Sequence, residues 1–194
     1  MICGIPKEIK IFENRVSMTP QGVFQLVHSG FQIFVEKGAG VGSGFSDQEY
    51  REAGATILSS KKEVYQKSDL VLKVKEPQPA EYPFFRPGLI IFAFLHLAAE
   101  PKLSRELIKK KVRGIAFETI ETDGQLPLLA PMSEIAGCLA PMIGANYLRK
   151  DLGGKGTLLA GIGKSSPGRV TVLGAGHVGS HAIKIAHGLE MVLS

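Results

Sequence analysis

Near the end of the chain a β-branched run, Arg169-Val-Thr-Val-Leu173, leads into Gly174-Ala-Gly176-His-Val-Gly179 and then into Ser180-His-Ala-Ile-Lys-Ile-Ala-His187. A strand, a G-x-G-x-x-G turn and a helix with Ala182, Ile183, Ile185 and Ala186 as its apolar positions is the opening half of a dinucleotide-binding unit. In such a unit Gly174 allows the sharp turn, Gly176 lets the backbone approach a pyrophosphate, and Gly179 lets the helix pack closely on the strand. The unpaired N–H groups and the positive dipole end of the helix then face the phosphates. The alternative is an ordinary glycine-rich turn, which the preceding strand and following helix disfavour. A second strand with an acidic residue is expected about 20 residues after the first glycine, where the sequence ends at Ser194.

The 194 residues suit one large or two small domains, and 44% hydrophobic content suffices for a packed core. No apolar run approaches the roughly 20 residues of a membrane span, since Leu89 to Ala99 is short and interrupted by His96. With Lys7, Glu8 and Lys10 and no long apolar core behind them, the N-terminus does not resemble a signal peptide. Cys3 and Cys138 make neither a disulfide framework nor metal-ligand spacing, so a reducing, cytoplasmic setting and no metal are expected. The net charge of +5 is dispersed except at Lys109-Lys110-Lys111, which reads as a solvated helix end rather than a nucleic-acid patch.

The rest of the chain alternates strands and helices. Ile2 to Ile5 reads as a strand, Thr19-Pro20 as the N-cap and first position of a helix ending at Gly30, and Phe31 to Glu36 as the next strand. Gly38 to Gly44 lacks the Gly-Lys-Ser/Thr ending of a P-loop and reads as a flexible loop. Ser46-Asp-Gln-Glu49 predicts a capping box before a helix through Ala53. Strands are expected at 56–58, 70–74, 89–95 and 114–118, with helices at 61–66 and 101–111. The pattern predicts an α/β fold: a doubly wound, parallel-sheet, Rossmann-like domain over 1–129, then the start of a Rossmann dinucleotide-binding domain over 130–194. Asp123-Gly124 and Pro127 mark the boundary, and Ser133 to Leu148 reads as one long helix crossing between domains, with Pro141 expected to kink it or remove a hydrogen bond. Gly153 to Gly168 reads as a loop or short hairpin.

Three polar residues stand at the ends of apolar strands or beyond them: Arg15 after the first, Lys75 closing Val71-Leu-Lys-Val-Lys75, and His96 closing Phe94-Leu-His96. Open α/β sheets bind ligands just past the carboxyl ends of their strands. Arg15 could hold a carboxylate, Lys75 could polarise a carbonyl or hold the same acid, and His96 could pass a proton near neutral pH. The alternatives are a hydrogen-bonded core histidine and two solvated surface cations.

Gly4-Ile-Pro-Lys-Glu-Ile-Lys with Glu13-Asn-Arg15-Val, Glu36 to Gly44, Leu72 to Pro77, Leu95-His96-Leu-Ala-Ala99, Leu128 to Gly137 and Gly174-Ala-Gly176 together resemble the L-alanine dehydrogenase family, from the first strand to about Leu189. The resemblance implies NAD-dependent, reversible oxidative deamination of L-alanine to pyruvate and ammonia by a soluble homo-oligomer. It also implies that Arg15 and Lys75 bind substrate and that His96 is the catalytic acid/base. Met132, Ser133, Gly174, Gly176, His177, Val178 and Gly179 would contact the cofactor. Family members continue with the rest of the dinucleotide domain, a catalytic aspartate and a helical return, so truncation is expected, with little or no activity for the 194 residues alone. Gly188-Leu-Glu-Met-Val-Leu-Ser194 and Gly161 to Pro167 depart from the family pattern. Runner-up readings are the soluble nucleotide-binding part of a proton-translocating transhydrogenase and a catalytically silent module.

Overall fold

A computed structural model describes residues 1–162, 167–189 and, as backbone only, 192–193. They divide into two compact units, Met1–Ile120 and Glu121–Ser194. The first is a six-stranded, wholly parallel sheet of β1 (Ile2–Ile5), β2 (Gln32–Glu36), β3 (Thr56–Leu58), β4 (Leu70–Leu72), β5 (Ile90–Ala93) and β6 (Arg113–Ala116), in the order β3-β2-β1-β4-β5-β6. Its crossovers carry α1 (Pro20–His28), α2 (Asp47–Glu52), α3 (Lys61–Lys67) and α4 (Pro101–Lys109).

Burial on both faces explains the strand sequences. On β2, Ile33 and Val35 join a core with Val23 of α1 and Tyr50 of α2, while Phe34 between them packs with Val64 of α3. Buried parallel strands therefore read as continuous apolar runs rather than alternating ones. A second core gathers Val71, Ile91, Ala93, Leu103 and Leu107. Gly4 is required by closeness: a Cβ there would lie 2.2 Å from Ser68 Oγ and 2.7 Å from Val64.

The helix signals hold in detail. Thr19 Oγ accepts from Gly22 N at 3.2 Å with Pro20 opening α1, and Ser46 and Glu49 form a reciprocal capping box. Three strands are shorter than expected. β4 ends at Leu72, β5 at Ala93 and β6 at Ala116, so Lys75, His96 and Glu118 lie past the ladder instead of closing it. Lys73 N and Phe94 N still bond across the sheet, and beyond them a carboxylate takes the N–H groups, Glu8 those of Val74 and Lys75 and Glu118 those of Leu95 and His96.

In the second unit, Asp123 and Gly124 both have positive φ (51° and 71°) between the bridged pair Thr122 and Gln125, a two-residue reverse turn. Hydrogen bonds from Leu129 and Ala130 to Leu126 O lead directly into α5 (Ala130–Tyr147), so 121–129 goes with the second unit although the sequence suggested a break after Leu129. The helix starts before Ser133 and runs through Pro141 without ending, and all of it belongs to the second unit. It packs on α6 (His177–Gly188), which begins inside the glycine triplet, earlier than the expected Ser180.

The expected strand 169–173 is reduced to β7 (Arg169–Val170), which pairs in parallel with β8 (Val192–Leu193). The second strand, expected about 20 residues after Gly174, is thus represented within the given sequence by β8. Leu173, expected within the strand, is 95% exposed. The expected departure from the family pattern at Gly161 to Pro167 falls largely on 163–166, outside the described residues.

Candidate functional site

Winding outward from β1 to β3 on one side and from β4 to β6 on the other makes the gap between β1 and β4 the switch point of the first sheet. Crevices at the carboxyl ends of the strands flanking a switch point are where such sheets bind ligands. Arg15 lies on the segment following β1, Lys75 on the bend following β4, and His96 on the turn following β5.

The Arg15 segment is fastened on two sides. Ser43 Oγ accepts from Val16 N at 3.2 Å and donates to Asn14 O at 3.0 Å, and Ser17 Oγ donates to Leu72 O at 2.8 Å. The glycine-rich loop 38–44, expected to be flexible, is thus a brace, and a Cβ at Gly42 would come within 2.7 Å of Asn14 O. The Arg15 guanidinium donates to both Glu13 oxygens, Nε at 2.8 Å and Nη2 at 2.6 Å. Glu13 is the buried member, with 9% side-chain exposure against 48% for Arg15. The hydrogen bonds from Arg15 hold the Glu13 carboxyl below its ordinary range, and the charge of Lys75 adds to this.

Lys75 owes its position to Glu8. That carboxylate accepts from Val74 N at 2.7 Å and Lys75 N at 3.3 Å through one oxygen, and from Lys73 Nζ at 2.8 Å through the other. Lys73 has no exposed surface and also pairs with Glu81 at 3.1 Å, itself fully buried and hydrogen-bonded by Tyr65 Oη at 3.0 Å. Lys61 joins from α3, 3.2 Å from Glu36 and 3.6 Å from Glu81. Burial pushes the Tyr65 hydroxyl well above its ordinary value, so it remains a donor. The network ties β1, β2, α3 and the bend after β4 at the edge where Arg15 and Lys75 stand.

His96 is exposed, which removes the core-histidine alternative. Its backbone is left-handed, with φ 47°. Segments 73–74 and 92–94 remain joined by Lys73 N to Phe92 O (3.0 Å) and Phe94 N to Val74 O (3.1 Å), so the Lys75 and His96 turns leave adjacent tracks of the sheet.

The second unit carries the glycine turn. Gly174 has φ 94°, a conformation that suits glycine. A Cβ on Gly179 would lie 1.9 Å from Gly174 O, whereas one on Gly176 would meet nothing within 4 Å. Gly179 therefore permits close seating of α6 on the turn, and Gly176 leaves open space above the backbone. No side chain caps α6, and residues 174–178 are exposed. Those features fit a pyrophosphate on the first N–H groups of the helix. Ser133 and His177 line one small recess of about 130 Å³ with Gly124, Gln125, Leu126, Leu129 and Ala130, and Met132 is beside it in sequence.

Sequence reasoning did not single out Glu8, Glu13, Lys73, Glu81 and Glu118. Lys73 could have been found, because a lysine between Leu72 and Val74 in an apolar run demands a buried counter-ion. The partner Glu81, on a 3₁₀ segment after Pro79, had no such signal.

The N-terminal domain model of alanine dehydrogenase/PNT matches residues 4–136, and the C-terminal domain model of the same family matches residues 140–194. The alanine dehydrogenase of Bacillus subtilis (strain 168) is 53% identical over 189 residues, 97% of this chain and 50% of that protein. The alanine dehydrogenase of Methanococcus maripaludis is 50% identical over 190 residues, 97% of this chain and 51% of its own length. Among solved structures, an L-alanine dehydrogenase superposes with a TM-score of 0.90 at 45% identity, covering 98% of this chain and 53% of that one. A transhydrogenase from Sinorhizobium meliloti gives 0.81 at 27% identity, covering 100% and 55%. The chain spans about half the length of the curated relatives it matches. With two domain models matched in order over nearly every residue, the chain belongs to the alanine dehydrogenase/PNT family.

Proposed function

We propose that this chain supplies the substrate-binding domain, and the beginning of the NAD-binding domain, of an enzyme that reversibly deaminates L-alanine to pyruvate and ammonia. The observation that carries the reading is the position of Arg15 and Lys75 after the two strands that flank the β1/β4 switch point. Arg15 binds the substrate carboxylate, its guanidinium plane oriented by Glu13. Lys75 stands as a second cation toward the carbonyl or amino carbon, its backbone held by Glu8. His96, exposed at its turn, removes the proton released as water adds and the amine leaves, and returns it in the reverse direction. When bound, NAD would supply the hydride acceptor for the substrate carbon. Gly174, Gly176, His177, Val178 and Gly179 would hold its pyrophosphate, with Met132 and Ser133 as further contacts. The active form is a homo-oligomer acting on a small molecule in the cytoplasm, without nucleic acid or membrane. Among the described residues no helix is long and apolar enough to cross a membrane.

The transhydrogenase reading draws on the Sinorhizobium meliloti structure, yet the dehydrogenase match is nearer in both identity and TM-score. Two measurements separate them. Pyruvate should bind in competition with L-alanine and be lost on Arg15→Met, whereas hydride exchange between two nicotinamide nucleotides without any amino acid would favour the transhydrogenase.

A further inference from the structure

The β5/β6 register pairs Ala93 with Ala116, and continuing it brings Glu118 level with Leu95. Past Ala93 the strand has lost its acceptors on that side, because β6 ends and a 3₁₀ turn over Phe117–Thr119 follows. The Glu118 side chain replaces them. Its Oε2 accepts from Leu95 N at 3.3 Å and its Oε1 from His96 N at 2.7 Å. Directly after the second bond the chain enters the left-handed region at His96, an uncommon conformation for a residue other than glycine.

The same turn controls the ring. Phe94 stacks on the His96 imidazole with centroids 6.2 Å apart and planes at 15°, and it meets Phe117, the neighbour of Glu118, edge-on at 5.1 Å and 86°. His96 and Glu118 both line a recess of about 400 Å³ with Leu97, Ala98, Ala99, Ala116 and Thr119. We propose that Glu118 is the positioning residue of His96, a carboxylate clamp on two successive backbone N–H groups that sets the direction of the imidazole. The value of this clamp for catalysis rests on His96 being the acid/base group.

The test uses the isotope-labelled 194-residue protein and nuclear magnetic resonance. Glu118→Gln keeps the shape but leaves one oxygen to accept and turns an NH₂ toward the chain. The clamp predicts an upfield move of the His96 amide proton and displaced imidazole signals, while amides of Ile90–Ala93 and Arg113–Ala116 stay in place. If Glu118 serves only overall stability, the variant melts earlier but its folded His96 signals match the parent, and the proposal falls. Should the variant not fold, acid titration of the parent decides: the His96 amide must follow the Glu118 carboxyl carbon signal, and independence of the two overturns the clamp. Saturating pyruvate is added separately. A parent imidazole that ignores pyruvate refutes the acid/base reading of His96 and leaves the clamp result standing on its own. In the active enzyme, Glu118→Gln should lower turnover on the order of 10²-fold with little change in the KM for pyruvate; a changed KM at constant turnover contradicts positioning of the acid/base group.

Discussion

The two units hold their candidate binding edges by different physics. At the β1/β4 edge, buried charge fixes the bends: Lys73 between Glu8 and Glu81, with Glu8 reaching on to the N–H groups of Val74 and Lys75. At the glycine turn there is no comparable network among the described residues, and position is set by absent side chains, with the α6 backbone seated against Gly174 at Gly179. A substrate acid needs cations at fixed distances in a partly dry place, which favours a rigid charged frame. A pyrophosphate is met by backbone N–H groups, which favours close and unobstructed approach.

The contrast predicts effects of different size. Lys73→Met fills the space but leaves buried Glu8 without its cation and Glu81 with Lys61 alone, and should destabilise the first unit by about 3–5 kcal/mol. Urea unfolding of the variant would show it, and a loss no greater than that of a surface lysine would remove the charged-frame account. Gly179→Ala should cost about 1–3 kcal/mol by overpacking, confined to α6 and the turn. Amide exchange would locate it, and protection lost equally in β1 to β6 would contradict the local account. Ser46→Ala, which breaks the α2 capping box away from either edge, should cost about 1 kcal/mol and leave pyruvate binding intact.

The smallest effect concerns Glu13. Its folded carboxyl is depressed, first by the Arg15 hydrogen bond, so the unfolded chain takes up the proton more readily. The contribution is therefore complete above the ordinary value of 4.5 and disappears as pH falls through the lower folded value. Glu13→Gln should be slightly less stable than the parent at neutral pH, by well under about 1 kcal/mol because Arg15 is half-exposed, and the two should converge in acid. Divergence on acidification would have the wrong sign. Burial pushes the Cys3 thiol up to about 12, so a thiol reagent at neutral pH should label Cys138 in the native protein and spare Cys3.

Local chemistry explains what could be read from the residues. Thr19-Pro20 and Ser46 to Glu49 form their caps because those signals act within one helical turn. The buried strands were visible as apolar runs, yet their ends were not. Where β4 and β5 stop depends on Glu8 and Glu118, each reached across the sheet over 66 and 23 residues respectively, a distance at which periodicity carries no information. The same reason hid the brace role of Gly38 to Gly44, since its partner Asn14 lies 29 residues earlier. Arg15, Lys75 and His96 were noticeable as polar residues after apolar strands, whereas the carboxylates that arrange them looked like ordinary surface acids.

The most direct measurement is a titration of pyruvate into the isotope-labelled 194-residue protein, followed at every assigned amide. The account predicts saturable shifts at residues 13–16, 73–76 and 95–97, abolished by Arg15→Met while β1 to β6 remain folded. No saturable shift, or shifts gathered instead along the exposed cations Lys102, Arg105 and Lys109 of α4, would contradict it.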